Sequence, residues 1–402
     1  MREDVDVLII APHPDDEVLL AAGVLARTLA EGKRAAVILM TSGGYTCERN
    51  GPLRESETVE ALTTLGMNER DIHFLGYPDG YLAMLGTEPL LAIERLDADG
   101  TCRLSNTTSA SHGFAHTDEH SARTGKPAPF TAEALSEDLA ALLARLKPRD
   151  VYVPHPIDDH PDHAATYAFF RRAVDRLDAA PPIVHRGVIH AGRCWPGDCN
   201  VAYAPDVRVP PLPGNLSTYL PTDRVPVDPL FKFGVIARYV SQTGPTPTTN
   251  WLATFAKEDE HFYAEKLVRS PDDGWMPSPH PGTPATMLRL DFSKGPTLRL
   301  DAPRFSGCDN FEVTQTADAI TLERVDAKTR ELVRSWARPK GDGSKLSLRV
   351  DPRSSEISEW TLLGPEGFIG QAVIPHSHAQ VRVSSALACT PLPHAVTRAA
   401  SR

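Results

Sequence analysis

At 402 residues, with 41% hydrophobic and 23% charged positions, the chain has a globular composition and is long enough for two cores. Asp and Glu number 52 against 42 Lys and Arg, a formal charge of −10 without a basic cluster, which argues against a nucleic-acid partner. No run approaches the ~20 apolar residues of a transmembrane segment. An apolar strand beginning near residue 5 leaves no room for a leader, so the cytoplasm is the expected compartment, although a secreted protein with its leader removed would read the same.

Residues 5–17 read Val-Asp-Val-Leu-Ile-Ile-Ala-Pro-His-Pro-Asp-Asp-Glu, an apolar run that stops at His13-Pro14-Asp15-Asp16. Val18, Leu19, Ala22, Leu25 and Leu29 follow at helical spacing, so the stretch predicts a buried parallel strand feeding a helix that ends near Glu31. Ala35–Thr41 predicts a second strand, Arg54–Leu65 an amphipathic helix, and Asp71–Leu75 a third strand ending at Gly76-Tyr77-Pro78-Asp79-Gly80. This alternation calls for a doubly wound, mostly parallel α/β sheet, in which ligands collect beyond the carboxyl ends of the strands. Residues from about 80 to 130 lack a period and read as an excursion over that face. Its His112, His116, Asp118 and His120 suggest a second metal cluster, but their spacing suits no single helix face.

Thr131 caps a helix to about Leu146, and Asp150–Pro154 is the next strand. It ends in His155-Pro156-Ile157-Asp158-Asp159-His160-Pro161-Asp162-His163, where Pro161 suits the first turn of a helix. His160 and His163, three apart, emerge on one side of that helix start. Ile183–Ala191 reads as a strand, residues 192–227 as irregular, Asp228 to about Ser241 as a helix, and Thr249–Tyr263 as another. Pro-rich residues 269–285 read as a linker, dividing residues 1–268 from a β-sandwich-like unit over 286–390 and a tail over 391–402. Of six cysteines only Cys194 and Cys199 are close, a spacing that fits a small disulfide loop or two unrelated thiols.

His13, Asp16 and His163 supply two imidazoles and a carboxylate, the donor set of a catalytic zinc that keeps one position for water. Bound zinc lowers the pKa of that water to about 7. Asp15, next to a ligand but pointing elsewhere, is free to act as general base. His160 suits donation to an oxyanion or to a leaving amine, and Asp162 suits orienting one of the histidines. Glu17 either does the same or charge-matches the helix start. Singly, each residue has an ordinary explanation as a cap or a core histidine; two such turns in one chain do not.

His13-Pro14-Asp15-Asp16-Glu17 and His160-Pro161-Asp162-His163 resemble the two signatures of the PIG-L/LmbE-like zinc N-deacetylases. The resemblance extends to Arg54-Glu55-Ser56-Glu57 and Leu65-Gly66 and, more loosely, to helices ending near Tyr263. It implies a Rossmann-like fold, zinc on His13, Asp16 and His163, Asp15 as base, and His160 at the oxyanion or leaving group. It also implies an N-acetylated amino sugar or its conjugate as substrate, with Arg54 and Asp79 contacting the sugar. For Arg54 the ordinary alternative is a helix-surface ion pair with Glu55 or Glu57, and for Tyr45 and Trp195, which could stack on a sugar, packing. The same donors accept iron or cobalt. A rival reading is a non-catalytic carbohydrate-binding protein that keeps a metal site. A nucleotide-binding protein fits less well, because the first turn lacks Gly-x-Gly-x-x-Gly.

Overall fold

The structure, a computed structural model, describes residues 4–45, 50–90, 118–197, 208–246, 250–270, 274–278, 285–293, 295–304, 307–326, 329–338, 346–353, 357–364, 367–375 and 382–384. The chain divides into two compact units, Met1–Ser278 and Pro279–Arg402, each with its own apolar core. Among the described residues no helix is long and apolar enough to cross a membrane.

In the first unit, Val7–Ala11 (β1) and Ala35–Thr41 (β2) are buried at every position, as strands covered on both faces must be. They alternate with helices Asp16–Ala30 (α1) and Gly51–Thr64 (α2) and lead to strand Ile72–Tyr77 (β3). Helices Glu119–Thr124 (α3) and Ala132–Leu146 (α4) precede strand Asp150–Pro154 (β4), helix Pro161–Asp175 (α5) and strand Ile183–Gly187 (β5). These five strands run parallel in the order β3-β2-β1-β4-β5. The chain winds outward from β1 to β3, then returns to lay β4 on the other side of β1. The crevice at the carboxyl ends of β1 and β4 is therefore the switch point of the sheet, where such folds bind ligands.

The remainder of the sheet departs from what the sequence leads one to expect, an irregular stretch to residue 227 and a helix over Thr249–Tyr263. Asp223–Pro226 (β6) and Asp259–Glu265 (β7) add antiparallel strands beside β5, in the order β5-β7-β6. Where Thr249–Tyr263 reads as a helix, the structure has a short 3₁₀ turn, Trp251–Phe255, and then β7. Tertiary pairing overrides local preference: Glu265 lies 3.2 Å from Arg186 on β5 and 3.5 Å from Arg171 on α5, all three buried. The helix expected from Asp228 to Ser241 splits into Pro229–Ile236 (α6) and Val240–Thr243 (α7), parted at Tyr239. Strand β5 stops at Gly187, short of Ala191. Leu267–Ser270 (β8) and Gly274–Pro277 (β9) pair as a hairpin in the stretch whose composition reads as a linker.

The second unit holds Thr286–Leu290 (β10), Thr297–Arg304 (β11), Gly307–Gln315 (β12), Ala319–Val325 (β13), Arg330–Ala337 (β14), Leu346–Pro352 (β15), Ile357–Gly364 (β16), Gly367–Pro375 (β17) and Arg382–Ser384 (β18). They form two antiparallel sheets, β10-β15-β16-β17 and β14-β13-β12-β11-β18. Alternate residues of both sheets meet in one core, Leu348, Val350, Trp360 and Leu362 facing Leu300, Phe311, Val313 and Leu322. That arrangement is sandwich-like, as the spacing of the sequence suggests.

Candidate metal centre

Because β1 and β4 are hydrogen-bonded neighbours, Val7 beside Asp150 and Ile9 beside Tyr152, the two polar turns that follow them open on one edge. In the first turn the Asp16 amide donates to the His13 carbonyl, and Asp15 takes φ 119° and ψ −34°. A positive φ costs a non-glycine residue about 1–3 kcal/mol and persists only where surroundings enforce it. Here they do. The Asp15 amide donates to Glu17 Oε2 at 3.0 Å, and Tyr239 donates its hydroxyl to Glu17 Oε1. Arg54 donates to the Pro14 carbonyl at 2.7 Å and to Asp15 Oδ2 at 3.1 Å. Burial pushes Glu17 up to about 7 despite these bonds. Burial, with Asp16 and Glu17 adding to it and Arg54 and His13 opposing, pushes Asp15 up to about 8.

In the second turn Pro161 opens α5 and His160 caps it, its Nδ1 accepting from the Asp162 amide at 3.2 Å. Asp162 Oδ2 and Oδ1 accept from the amides of Gly80, at 2.6 Å, and Leu82, at 3.0 Å, which ties this turn to the end of β3. Asp158 Oδ1 accepts from the His160 amide at 3.0 Å, and its Oδ2 from the amides of Ile189 and His190 at 2.7 and 3.0 Å.

The two turns meet through their side chains. Asp16 Oδ2 lies 2.8 Å from His13 Nδ1 and 3.1 Å from His163 Nε2. His13 Nε2 is 3.2 Å from both Asp79 Oδ1 and Asp162 Oδ2, and His163 Nδ1 is 3.3 Å from Asp158 Oδ2. His163 is fully buried, and its nitrogens are close enough for ion pairing but out of line for hydrogen bonds. Burial works against charge on His163, yet Asp16 and Asp158 outweigh it and raise the imidazole to about 10. Burial likewise opposes charge on His13, and Asp79, Asp16 and Asp162 hold it well above the usual histidine range. Asp16 goes the other way: His163 and His13 overcome its burial and hold it well below the carboxylate range. Burial, then His163 and His13, depress His160 to about 4, so it is neutral at pH 7.

Four buried carboxylates thus surround two imidazoles that carry protons, a cluster whose chemistry suits a divalent cation in place of those two charges. Three overlapping triads have donor atoms within 4.8 Å of one another: His13, His160 and His163; Asp16, His163 and His190; and His13, Asp79 and Asp162. Nitrogen and carboxylate donors of this kind fit zinc, and also iron or cobalt.

Of the residues singled out in the sequence, Asp15, His160, Asp162, Arg54 and Asp79 all border this cluster. Arg54 is not on the helix surface; it is 9% exposed and reaches Asp79 Oδ2 at 3.3 Å and the Gly43 carbonyl at 3.0 Å as well as Asp15. Glu57, its alternative partner, accepts from Ser241 instead. Tyr45 packs over Gly80, and its amide donates to Asp79 at 3.3 Å. Trp195 lines a separate cavity of about 220 Å³ with Tyr219, Tyr263 and Arg224. Asp118 caps α3 and His120 pairs with Asp138 at 2.8 Å, while His112 and His116 lie outside the described residues. Cys194 is disulfide-bonded, and Cys199 also lies outside the described residues. Asp158 and His190 gain a place at the site only from the structure. The sequence offers a positional signal for Asp158 alone, which follows the strand Asp150–Pro154 at the sheet's carboxyl edge; His190 falls within Ile183–Ala191, which reads as strand, and follows β5 only because β5 stops at Gly187.

Residues 8–174, which take in both turns, match the family described as PIG-L: GlcNAc-PI de-N-acetylase. A 1D-myo-inositol 2-acetamido-2-deoxy-alpha-D-glucopyranoside deacetylase of Saccharomonospora viridis is 30% identical over 179 residues, 43% of this chain. The chain spans 59% of the length of that curated relative. Among solved structures, the N,N'-diacetylchitobiose deacetylase of Pyrococcus horikoshii is 17% identical with a TM-score of 0.41, over 66% of this chain and 85% of that one. A conserved protein of Thermus thermophilus is 22% identical with a TM-score of 0.38, over 67% of this chain and 98% of that one.

Proposed function

We propose, on the premise that residues 8–174 are a PIG-L family domain, that this chain is a metal-dependent hydrolase removing the N-acetyl group of an N-acetylglucosaminyl-type conjugate. The observation that carries the reading is Asp16 Oδ2 standing 2.8 Å from His13 and 3.1 Å from His163, two histidines from opposite ends of the domain. His13, Asp16 and His163 would hold the ion, zinc in the first instance. When bound, such an ion supplies a Lewis acid and brings the pKa of water to about 7.

The chain's own residues supply the rest. Asp15 takes the proton of the attacking water. Arg54 fixes that carboxyl through Oδ2, leaving Oδ1 to receive the proton. His160 accepts the Asp162 amide on Nδ1, which puts its ring proton on Nε2, a donor for the oxyanion or the departing amine. Asp162 orients His13 and anchors the loop after β3. Arg54 and Asp79 contact the sugar with the N–H groups and oxygens that their bonds within the cluster leave over. Water adds to the acetamide carbonyl, the C–N bond breaks, and acetate and a free amine leave.

Incubating the zinc-loaded chain with N-acetylglucosaminyl conjugates should release acetate and amine in equal amounts. Asp15→Asn should keep the ion and lose turnover by about 10²–10⁴-fold, whereas His13→Ala should lose the ion as well. Full activity in either variant refutes the assignment.

A further inference from the structure

One imidazole beside the cluster has no task in this reading. His190 follows β5, and its ring centroid lies 4.8 Å from that of His163 and 5.3 Å from that of His160. Donor atoms of Asp16, His163 and His190 lie within 4.8 Å of one another. Among the described residues the His190 ring nitrogens make no hydrogen bond.

The ring is nevertheless covered on one face, and the residue's backbone is anchored. It stacks on Trp251 with centroids 4.8 Å apart and planes 24° apart, and the Trp251 indole N–H donates to the Trp195 carbonyl at 3.2 Å. The His190 amide donates to Asp158 Oδ2, the oxygen that also lies 3.3 Å from His163 Nδ1. One carboxylate therefore orients an ion-binding histidine and places the backbone of residue 190. A fixed imidazole with unengaged nitrogens, beside buried donors that are out of line with each other, has the surroundings of a ligand.

We propose that His190 is a fourth protein donor to the divalent ion, joining Asp16 and His163 from the β5 side of the crevice. The inference rests on the ion-binding reading above. Imidazole is an ordinary zinc donor, and some catalytic zinc sites expand to five ligands in the transition state, a coordination number at which a fourth protein donor still leaves a position open.

The test uses the full chain stripped of metal and titrated with Zn²⁺ against a chromophoric chelator, alongside the visible absorption of the Co²⁺ form. His190→Ala and His190→Gln, each checked for wild-type circular dichroism, should bind Zn²⁺ more weakly by at least the about 10- to 100-fold that loss of a group merely orienting a ligand costs, and should shift the Co²⁺ bands. Wild-type affinity and bands in either folded variant overturn the proposal, as does a raised KM with ion binding intact. His13→Ala separates the two levels of inference. If it too binds Zn²⁺ like wild type, the ion site itself is misassigned; if it alone loses the ion, only the fourth donor fails.

Discussion

Asp15 shows how much of this site is made of constraint. An aspartate at φ 119° is held by its own neighbour's carboxylate, and that carboxylate is held by a tyrosine 222 residues further along. Tyr239→Phe removes the anchor while leaving every proposed ion ligand in place, and should lower kcat about tenfold with KM and ion content unchanged, since only the aim of the proposed base is lost. Steady-state kinetics with metal analysis checks it; an equal loss of bound ion would contradict it. In the proposed role of base Asp15 must be ionised. Its elevated value of about 8 moves lower once a cation sits beside it, so activity should fall as pH drops through that value and level off above it. Arg54 opposes the elevation, so Arg54→Met should move the acid limb of kcat/KM to higher pH by about 1–3 pH units. A limb that stays in place, read from a pH–rate profile, would show that Arg54 does not act on Asp15.

At the level of elements, α1 carries Asp16 on a helix that is broken at Ala21, where φ is −147°. The break frees the amides of Gly23 and Val24 and the carbonyl of Leu19. Glu260 accepts from both amides, at 2.9 and 3.2 Å, and Lys232 donates to the carbonyl at 2.8 Å. The two close on each other at 2.7 Å, both almost fully buried. Glu260→Ala would strand a buried ammonium and should cost about 3–5 kcal/mol, read from the denaturant midpoint; a loss under ~1 kcal/mol would contradict the pairing. The same glutamate sits where the sequence misleads. Trp251, Phe255 and Phe262 suit a helix locally, but residues 259–265 form a strand that pairs with β5 and β6, and in it Glu260 meets Lys232 of α6 and Glu265 meets Arg186 of β5. By contrast, β1 and β2 are legible because a strand buried on both faces must be apolar throughout.

Across the whole molecule, each unit has a separate core, so calorimetry should resolve two unfolding transitions, and Zn²⁺ should raise only one of them, because only the first unit contains the proposed ligands. A single transition raised as a whole would contradict that. The two signature turns can be read from sequence because each interrupts an apolar strand with residues that have little structural use there. That they meet across neighbouring strands follows from the doubly wound pattern. Asp158 and His190 are not legible, since they join the site only through the pairing of β4 with β5, which brings Gly187 to the His155 amide and residues 189–190 to Asp158. The central claim is that one divalent cation replaces the protons His13 and His163 hold in its absence. Both histidines are raised, so at pH 7 each must give up a proton to bind the ion, and affinity should rise with pH. Titrating the metal-free chain with Zn²⁺ by calorimetry in buffers of different ionisation enthalpy measures this directly. The expected result is one ion bound and at least two protons released per chain at pH 7, one from each histidine, with Asp15 adding to them as its elevated value falls; binding without proton release, or unchanged by Asp16→Ala, would contradict it.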